Sequence, residues 1–322
     1  MKLHNKTKLK VAKMDETKRN RRFENLCTKS QAELKKQLSF ELRLFGKVRT
    51  GDGWVYKEGE IPILLVAHMD TVHKELVSHV IYTHGACCSP QGIGGDDRCG
   101  IYMIMEIIKE CNCHVLFVED EEIGCVGSEK FTKTELCESL TGKFQYLIEL
   151  DRRGNNDAVF YYCDNKEFID FVTEEYWEEQ EGSYTDIVEL SPVLGCASVN
   201  FSCGYYSEHK QEEFVILEEM ENNIKEVKKL IKRTKPDMFF EYVEKRYKNS
   251  WEAYYDSWYG YEEEEWYVEY LMDADHENSE TVSMVYATSY EAAVGAFCME
   301  HPDITYNQIL SIYNESYFTG GR

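Results

Sequence analysis

The residues with the greatest chemical capacity stand at the ends of apolar runs. Residues 61–67 are almost wholly apolar and close on His68-Met-Asp70. A short apolar run rich in β-branched residues reads as a fully buried central strand. Pro62 lies near its start, where a missing N–H is tolerated. In α/β folds, ligands collect at the carboxyl ends of strands. With a side-chain period of two, His68 and Asp70 point to the same side. Asp70 can then accept the imidazole's second N–H and fix its tautomer, the carboxylate–histidine–metal arrangement. Asp96, Glu121, Glu122, Asp151 and His209 stand just past further predicted strands or at helix starts. Two histidines and several carboxylates from separate elements form a ligand set for two hard or borderline divalent ions. Gathered in one crevice without cations, these carboxylates would repel one another and resist ionisation.

Taken singly, each residue has an ordinary structural explanation. His68 could be a satisfied core histidine and His209 a surface one. Glu121-Glu122 could be an acidic helix start favoured by the helix dipole. Asp96-Asp97 could be an N-cap pair. Their joint arrangement at the ends of successive elements defeats these separate explanations.

The elements that must position them alternate. Residues 23–45 carry leucine and phenylalanine at helical spacing, with Ser30 as N-cap and Glu33 completing a capping box. Gly46 is a candidate helix stop. Residues 48–59 read as a hairpin with Gly-Asp-Gly at its tip. Strands are predicted at 77–83, 115–118, 146–150, 157–162 and 197–201, and helices at 101–108, 128–136, 166–178 and 214–231. This alternation implies an α/β fold: a three-layer sandwich with a mostly parallel, twisted central sheet between helix layers.

After Thr234 the composition shifts. Residues 251–269 are rich in tyrosine, tryptophan and glutamate, contain no lysine or arginine, and read as a solvated spacer with anchored aromatics. Strands at 267–272 and 281–287, a helix at 289–299 capped by Ser289, and a last helix or strand at 306–313 make a small C-terminal α+β appendage. The expected organisation is therefore a catalytic domain over 1–235, whose residues 1–22 are basic and loosely attached, an aromatic and acidic linker over 236–266, and the appendage over 267–322.

The chain has 322 residues, 43% of them hydrophobic, and supports a large core. Its net charge of −23 argues against nucleic acid and anionic membranes as partners, because phosphates need a positive surface. No apolar run approaches the roughly 18 residues of a membrane-crossing helix. The basic N-terminus lacks the apolar segment of a signal peptide. Twelve scattered cysteines do not form a secreted framework, and a cytoplasmic location with reduced thiols is expected. Cys87-Cys88 and Cys111-x-Cys113 lack the spacing of a zinc knuckle.

The blocks His68-Met-Asp70-Thr-Val, Gly95-Asp96-Asp97-Arg98-Cys-Gly100, Asp120-Glu121-Glu122-Ile-Gly124, Leu150-Asp151, and Gly204 to His209 followed by Glu213-Phe-Val occur in this order. Together they resemble the co-catalytic di-zinc exopeptidase superfamily, which includes peptidase T, the aminoacylases and carboxypeptidase G. The resemblance covers roughly residues 30–232 and is specific, since five separate blocks agree. It implies that His68, Asp96 and Asp151 hold one metal ion and that Asp96, as a bridging carboxylate, Glu122 and His209 hold the other. It also implies Glu121 as general base, Asp70 as the residue that orients His68, and Asp97 as a helix cap or brace. The ions implied are two divalent metals per chain, zinc first, with cobalt or manganese as alternatives. They would share a water whose proton Glu121 removes.

One departure from the pattern matters. The peptidase T and aminoacylase branch carries a lid domain between the last acidic ligand and the final histidine, and the segment from Asp151 to His209 leaves no room for both that lid and the remaining core strands and helices. The lidless aminopeptidase branch is the closer comparison, and any oligomer would not form through an inserted lid. Thr185-Asp186, Leu194-Gly195 and the strand at 197 resemble the approach to the final histidine in that branch. Tyr205 or Tyr206 could assist the oxyanion or simply pack. The expected function is hydrolysis of peptide or amide bonds, foremost as an aminopeptidase on short peptides. The alternatives are an N-acyl amino acid amidohydrolase with the same centre and a non-catalytic binding protein that retains the scaffold.

Overall fold

The computed structural model describes residues 16–245, 264–272, 280–287, 297, 301 and 308–314. Eight strands form the main sheet: β1 (Val48–Gly51), β2 (Trp54–Lys57), β3 (Ile61–His68), β6 (Cys113–Val118), β7 (Tyr146–Arg152), β8 (Asp157–Val159), β9 (Glu178–Gln180) and β10 (Ser198–Ser202). Their order is β1-β2-β6-β3-β7-β10-β8-β9. The four central strands, β6, β3, β7 and β10, are mutually parallel. β2 and β8 flank them antiparallel. A parallel core needs both faces covered, and the sequence of β3 shows how this is done. Ile63, Leu65 and Ala67 enter the larger apolar cluster, while Leu64 and Val66 enter the smaller one.

The larger cluster is closed by α1 (residues 16–27), α2 (Gln31–Glu41), α3 (Gly95–Ile107), α6 (Lys166–Thr173) and α8 (Leu217–Arg233). The smaller one is closed by α4 (Val126–Thr132), α5 (Glu135–Leu140) and α7 (Asp186–Leu194). The result is the expected three-layer α/β sandwich. No helix among the described residues is long and apolar enough to cross a membrane.

Local chemistry sets several boundaries. Ser30 caps α2 in a complete capping box with Glu33. Residues 16–22, expected to be loosely attached, are helical, and Phe23 and Leu26 in the same helix are buried. The helix expected over 128–136 is two helices, because Thr134 starts a new one by capping the Cys137 N–H. The strand expected over 77–83 is only β4 (Ile81–Thr83).

Residues 214–216, expected to open the long helix, form β12 (Phe214–Ile216) instead. This strand pairs with β5 (Ala86–Cys88) and with β11 (Tyr205–Tyr206). With β4 they make a second, four-stranded antiparallel sheet. Cross-strand pairing here overrides a local pattern that α8 continues.

Two compact units divide the chain at Lys245 and Arg246. Residues 236–245, expected to begin a linker, are strapped onto the first unit together with Lys235. Gln145 Nε2 donates to Lys235 O and Met238 O, at 2.7 and 2.8 Å. Phe240 N–H donates to Gln145 O and Phe240 O accepts from Ala197 N–H. The buried Phe240 ring lies 5.1 Å from Phe168 and 5.4 Å from Phe171.

The second unit contains β13 (Glu264–Leu271), β14 (Glu280–Ala287) and β15 (Ile309–Asn314), antiparallel in the order β14-β13-β15. Val268, Tyr270 and Val285 are buried in it. Residues 251–263 of the spacer and nearly all of the helix expected over 289–299 lie outside the described residues.

Phe240 sits where the strap meets an aromatic cluster, so Phe240→Ala is expected to lower unfolding stability by about 3–5 kcal/mol. The urea midpoint measures this, and a loss below about 1 kcal/mol would mean that the strap is dispensable.

Candidate metal centre

The centre forms at the carboxyl ends of β3, β6 and β7, beside the start of α3. The close approach of α3 to β7 brings Asp96 there. At Gly100 a Cβ would lie 1.8 Å from Leu150 O, so only glycine permits this contact. His68 ends β3 and is fully buried. Its Nδ1 lies 3.1 Å from Asp70 Oδ1. Asp70 also accepts the backbone N–H groups of Glu121 and Glu122, each at 3.0 Å. One carboxylate thus ties the imidazole to the acidic turn that follows β6.

Asp96 stands between the two histidines. Its Oδ1 is 2.9 Å from His68 Nε2 and its Oδ2 is 3.2 Å from His209 Nε2. Asp151 Oδ1 lies 3.3 Å from His68 Nε2, and Glu122 Oε2 lies 3.0 Å from His209 Nε2. All five residues expected from the sequence as metal ligands therefore meet at one locus. Ligand atoms of His68, Asp96 and Glu122 lie within 4.8 Å of one another, as do those of His68, Asp97 and Asp151. Asp97 is nonetheless spent on the backbone, because its carboxylate accepts the N–H groups of Gly100 and His68. It braces the site. Among the described residues, no hydrogen bond or ion pair joins Glu121 to either histidine. Its carboxylate lines the cleft and accepts a weak bond from Cys125 Sγ at 3.7 Å.

The donor set fits divalent cations. Each imidazole turns Nε2 toward two carboxylates, so the site calls for positive charge at two positions that share Asp96. Burial favours the neutral ring of His68, but Asp151, Asp70 and Asp96 outweigh it and hold the pKa well above the usual histidine value. The bond to Asp96 leads in raising His209 to about 9. Burial and then the charge of Asp151 push Glu121 up to about 9. Burial and then the charge of Asp96 push Glu122 to about 7 and Asp151 to about 6. Burial opposes ionisation of Asp96 too, but bonds to His209 and His68 overcome it and hold this carboxyl well below its ordinary value. Glu122 Oε1 is buried with no hydrogen-bond partner among the described residues. Divalent cations supply the missing charge and return such carboxyls to their ionised form.

Several supporting residues carry no sequence signal strong enough to assign them a role. Thr185 Oγ1 donates to Asp151 Oδ2 at 3.0 Å, and Asn200 Oδ1 accepts the Asp151 N–H at 2.9 Å. Tyr205 is buried with its hydroxyl 3.4 Å from Asp151 Oδ1, whereas Tyr206 bonds Glu219. Glu213, noted above only as part of a block, is fully buried. It accepts the N–H groups of Gly94 and Asp96, at 2.8 and 2.9 Å, and pairs with His73 Nε2 at 2.8 Å. From Asp151 to His209 the chain runs through β8, α6, β9, α7, β10 and β11, and no separate domain is inserted.

Glu213 therefore sets the backbone that presents Asp96. Glu213→Gln places an amide N–H against groups that need acceptors, and zinc affinity should fall about 10- to 100-fold. Competition against a chromophoric chelator reads this, and an unchanged affinity contradicts the assignment.

Residues 54–193 match peptidase family M28. No curated protein sequence matches the chain. Among solved structures, aminopeptidase PepT from Bacillus cereus ATCC 10987 is similar at 15% identity and a TM-score of 0.55, over 66% of this chain and 96% of that one. TET aminopeptidase from the marine sediment archaeon Thaumarchaeota archaeon SCGC AB-539-E09 is similar at 14% identity and a TM-score of 0.54, over 70% of this chain and 98% of that one. Aminopeptidase APDkam598 from the archaeon Desulfurococcus kamchatkensis gives 13% identity and a TM-score of 0.53, over 69% and 96%. At such identities the structural likeness speaks for the fold, and the M28 match adds a family likeness over residues 54–193. Both agree with the resemblance to the co-catalytic di-zinc exopeptidase superfamily carried by the sequence blocks.

Proposed function

We infer that the protein is an aminopeptidase that hydrolyses short peptides with two divalent cations per chain, zinc first among them. The observation that carries this reading is the pair of imidazole–carboxylate clusters joined by Asp96, with Glu121 in the same cleft but off both histidines. His68, Asp96 and Asp151 would hold one ion, and Asp96, Glu122 and His209 the other. Bound there, such ions polarise a carbonyl and acidify water.

The chain's own residues do the rest. Glu121 accepts a proton from the attacking water and delivers it to the leaving amine as the C–N bond breaks. Asp70 fixes the His68 ring through Nδ1 and fixes the turn that carries Glu121 through its N–H. Thr185 and Tyr205 hold Asp151 in place. An N-acyl amino acid amidohydrolase would use the same centre, and free-amine peptides assayed beside N-acylated amino acids separate the two activities.

The neighbours Glu121 and Glu122 have different roles in this mechanism. Glu121→Gln should cut turnover by roughly 100- to 10,000-fold, with about two ions still bound. Glu122→Gln should weaken one ion site, and added zinc should restore part of the activity. Turnover and bound metal are measured on both variants after identical reconstitution. A Glu121→Gln variant that turns over like the parent sinks the base assignment.

A further inference from the structure

Arg152 and Arg153 directly follow Asp151, and both line the cleft of about 150 Å³ that holds the acidic centre. Asp96, Glu121, Glu122, Asp151 and Glu208 line the same cleft. Two adjacent guanidiniums there balance local charge, but their pairing accounts for only part of their capacity. Arg152 Nε lies 3.3 Å from Asp157 Oδ2, and Arg153 Nη1 lies 2.5 Å from Glu208 Oε1. A guanidinium has five donors in a planar fork suited to a carboxylate, so each arginine keeps donors for a second acceptor. The Arg153 side chain is 56% exposed, and an ion pair in that setting holds it weakly.

The backbone beneath is fixed. Arg152 O accepts from Cys203 N–H, Arg153 O accepts from Ser202 Oγ at 2.8 Å, and Gly154 N–H donates to Tyr205 O. A firmly held segment therefore presents an adaptable cation next to a residue of the centre.

We propose that Arg153, with Arg152 beside it, binds a carboxylate of the substrate, so that the enzyme selects short peptides carrying negative charge close to the scissile bond. The proposal rests on the peptidase reading above and adds the substrate class. An extended peptide spans about 3.3–3.6 Å per residue, and Arg153 lines the same small cleft as Asp96, Glu121 and Asp151. A carboxylate on Arg153 therefore falls within the reach of a di- or tripeptide whose carbonyl sits at the centre. The group is either the peptide's α-carboxylate or the side chain of an acidic residue.

The test uses the zinc-loaded full chain, as parent, Arg153→Gln and Arg153→Lys. Substrates are trialanine, trialanine amide and Ala-Glu-Ala amide. The parent should prefer trialanine, or Ala-Glu-Ala amide, over trialanine amide by about tenfold or more in kcat/KM, chiefly through KM. Arg153→Gln should bring that ratio close to one, and Arg153→Lys should keep part of it. If the ratio that collapses is Ala-Glu-Ala amide over trialanine amide, the carboxylate recognised is a side chain. Titration calorimetry with trialanine and its amide, each N-methylated at the scissile nitrogen, reads the same discrimination without turnover. Discrimination that depends on Arg153 in a protein without turnover would sink the peptidase reading and leave the carboxylate site standing. A parent that prefers neither trialanine nor Ala-Glu-Ala amide over trialanine amide, or a preference that survives Arg153→Gln, overturns the proposal.

Discussion

The structure depends on one electrostatic conflict. Buried carboxylates crowd around two imidazoles, and Asp96 belongs to both groups. Burial and mutual repulsion raise Glu121, Glu122 and Asp151, while Asp96 stays ionised because it touches both rings. Such a cluster is costly in a low-dielectric site unless positive charge enters it. The fold spends several interactions on keeping the cluster together. Asp70 ties His68 to the Glu121 turn, Asp97 caps α3 at Gly100 and holds the His68 N–H, and Glu213 holds the Asp96 backbone.

The parallel strands deliver these groups because their carboxyl ends open on one side of the sheet. β3, β7 and β10 run in register, so His68, Asp151 and the backbone leading to His209 emerge together. The close contact of α3 with β7 at Gly100 completes the arrangement. His209 has φ of +62°, a conformation that costs a non-glycine residue of order 1–3 kcal/mol and marks a position held by its surroundings.

The central strands and the acid and histidine positions were legible in the sequence. The short apolar run Ile61–His68, rich in branched side chains, reads as a buried strand and ends in a polar side chain. The second sheet was not legible. Phe214-Val-Ile continues the apolar pattern of α8, and only its pairing with Ala86, Cys87 and Cys88 makes it a strand. Residues 236–245 read as the start of a linker because their anchoring bonds run to Gln145 and Tyr162, far away in sequence. Glu213, Thr185 and Asn200 could not be given roles for the same reason. A single polar residue acquires its partner only through tertiary packing, and nothing in its local sequence marks it as buried. The arginines after Asp151 were visible, but their place in the cleft was not.

The central claim is that this cluster is a metal centre spanning Asp96. A zinc-edge anomalous difference map from crystals of the zinc-loaded protein tests it most directly. Two peaks are predicted, one within about 2.0–2.2 Å of His68 Nε2 and one at the same distance from His209 Nε2, with a carboxylate oxygen of Asp96 bound to each. Zinc absent from this locus, or found only at cysteines elsewhere in the chain, would contradict the account.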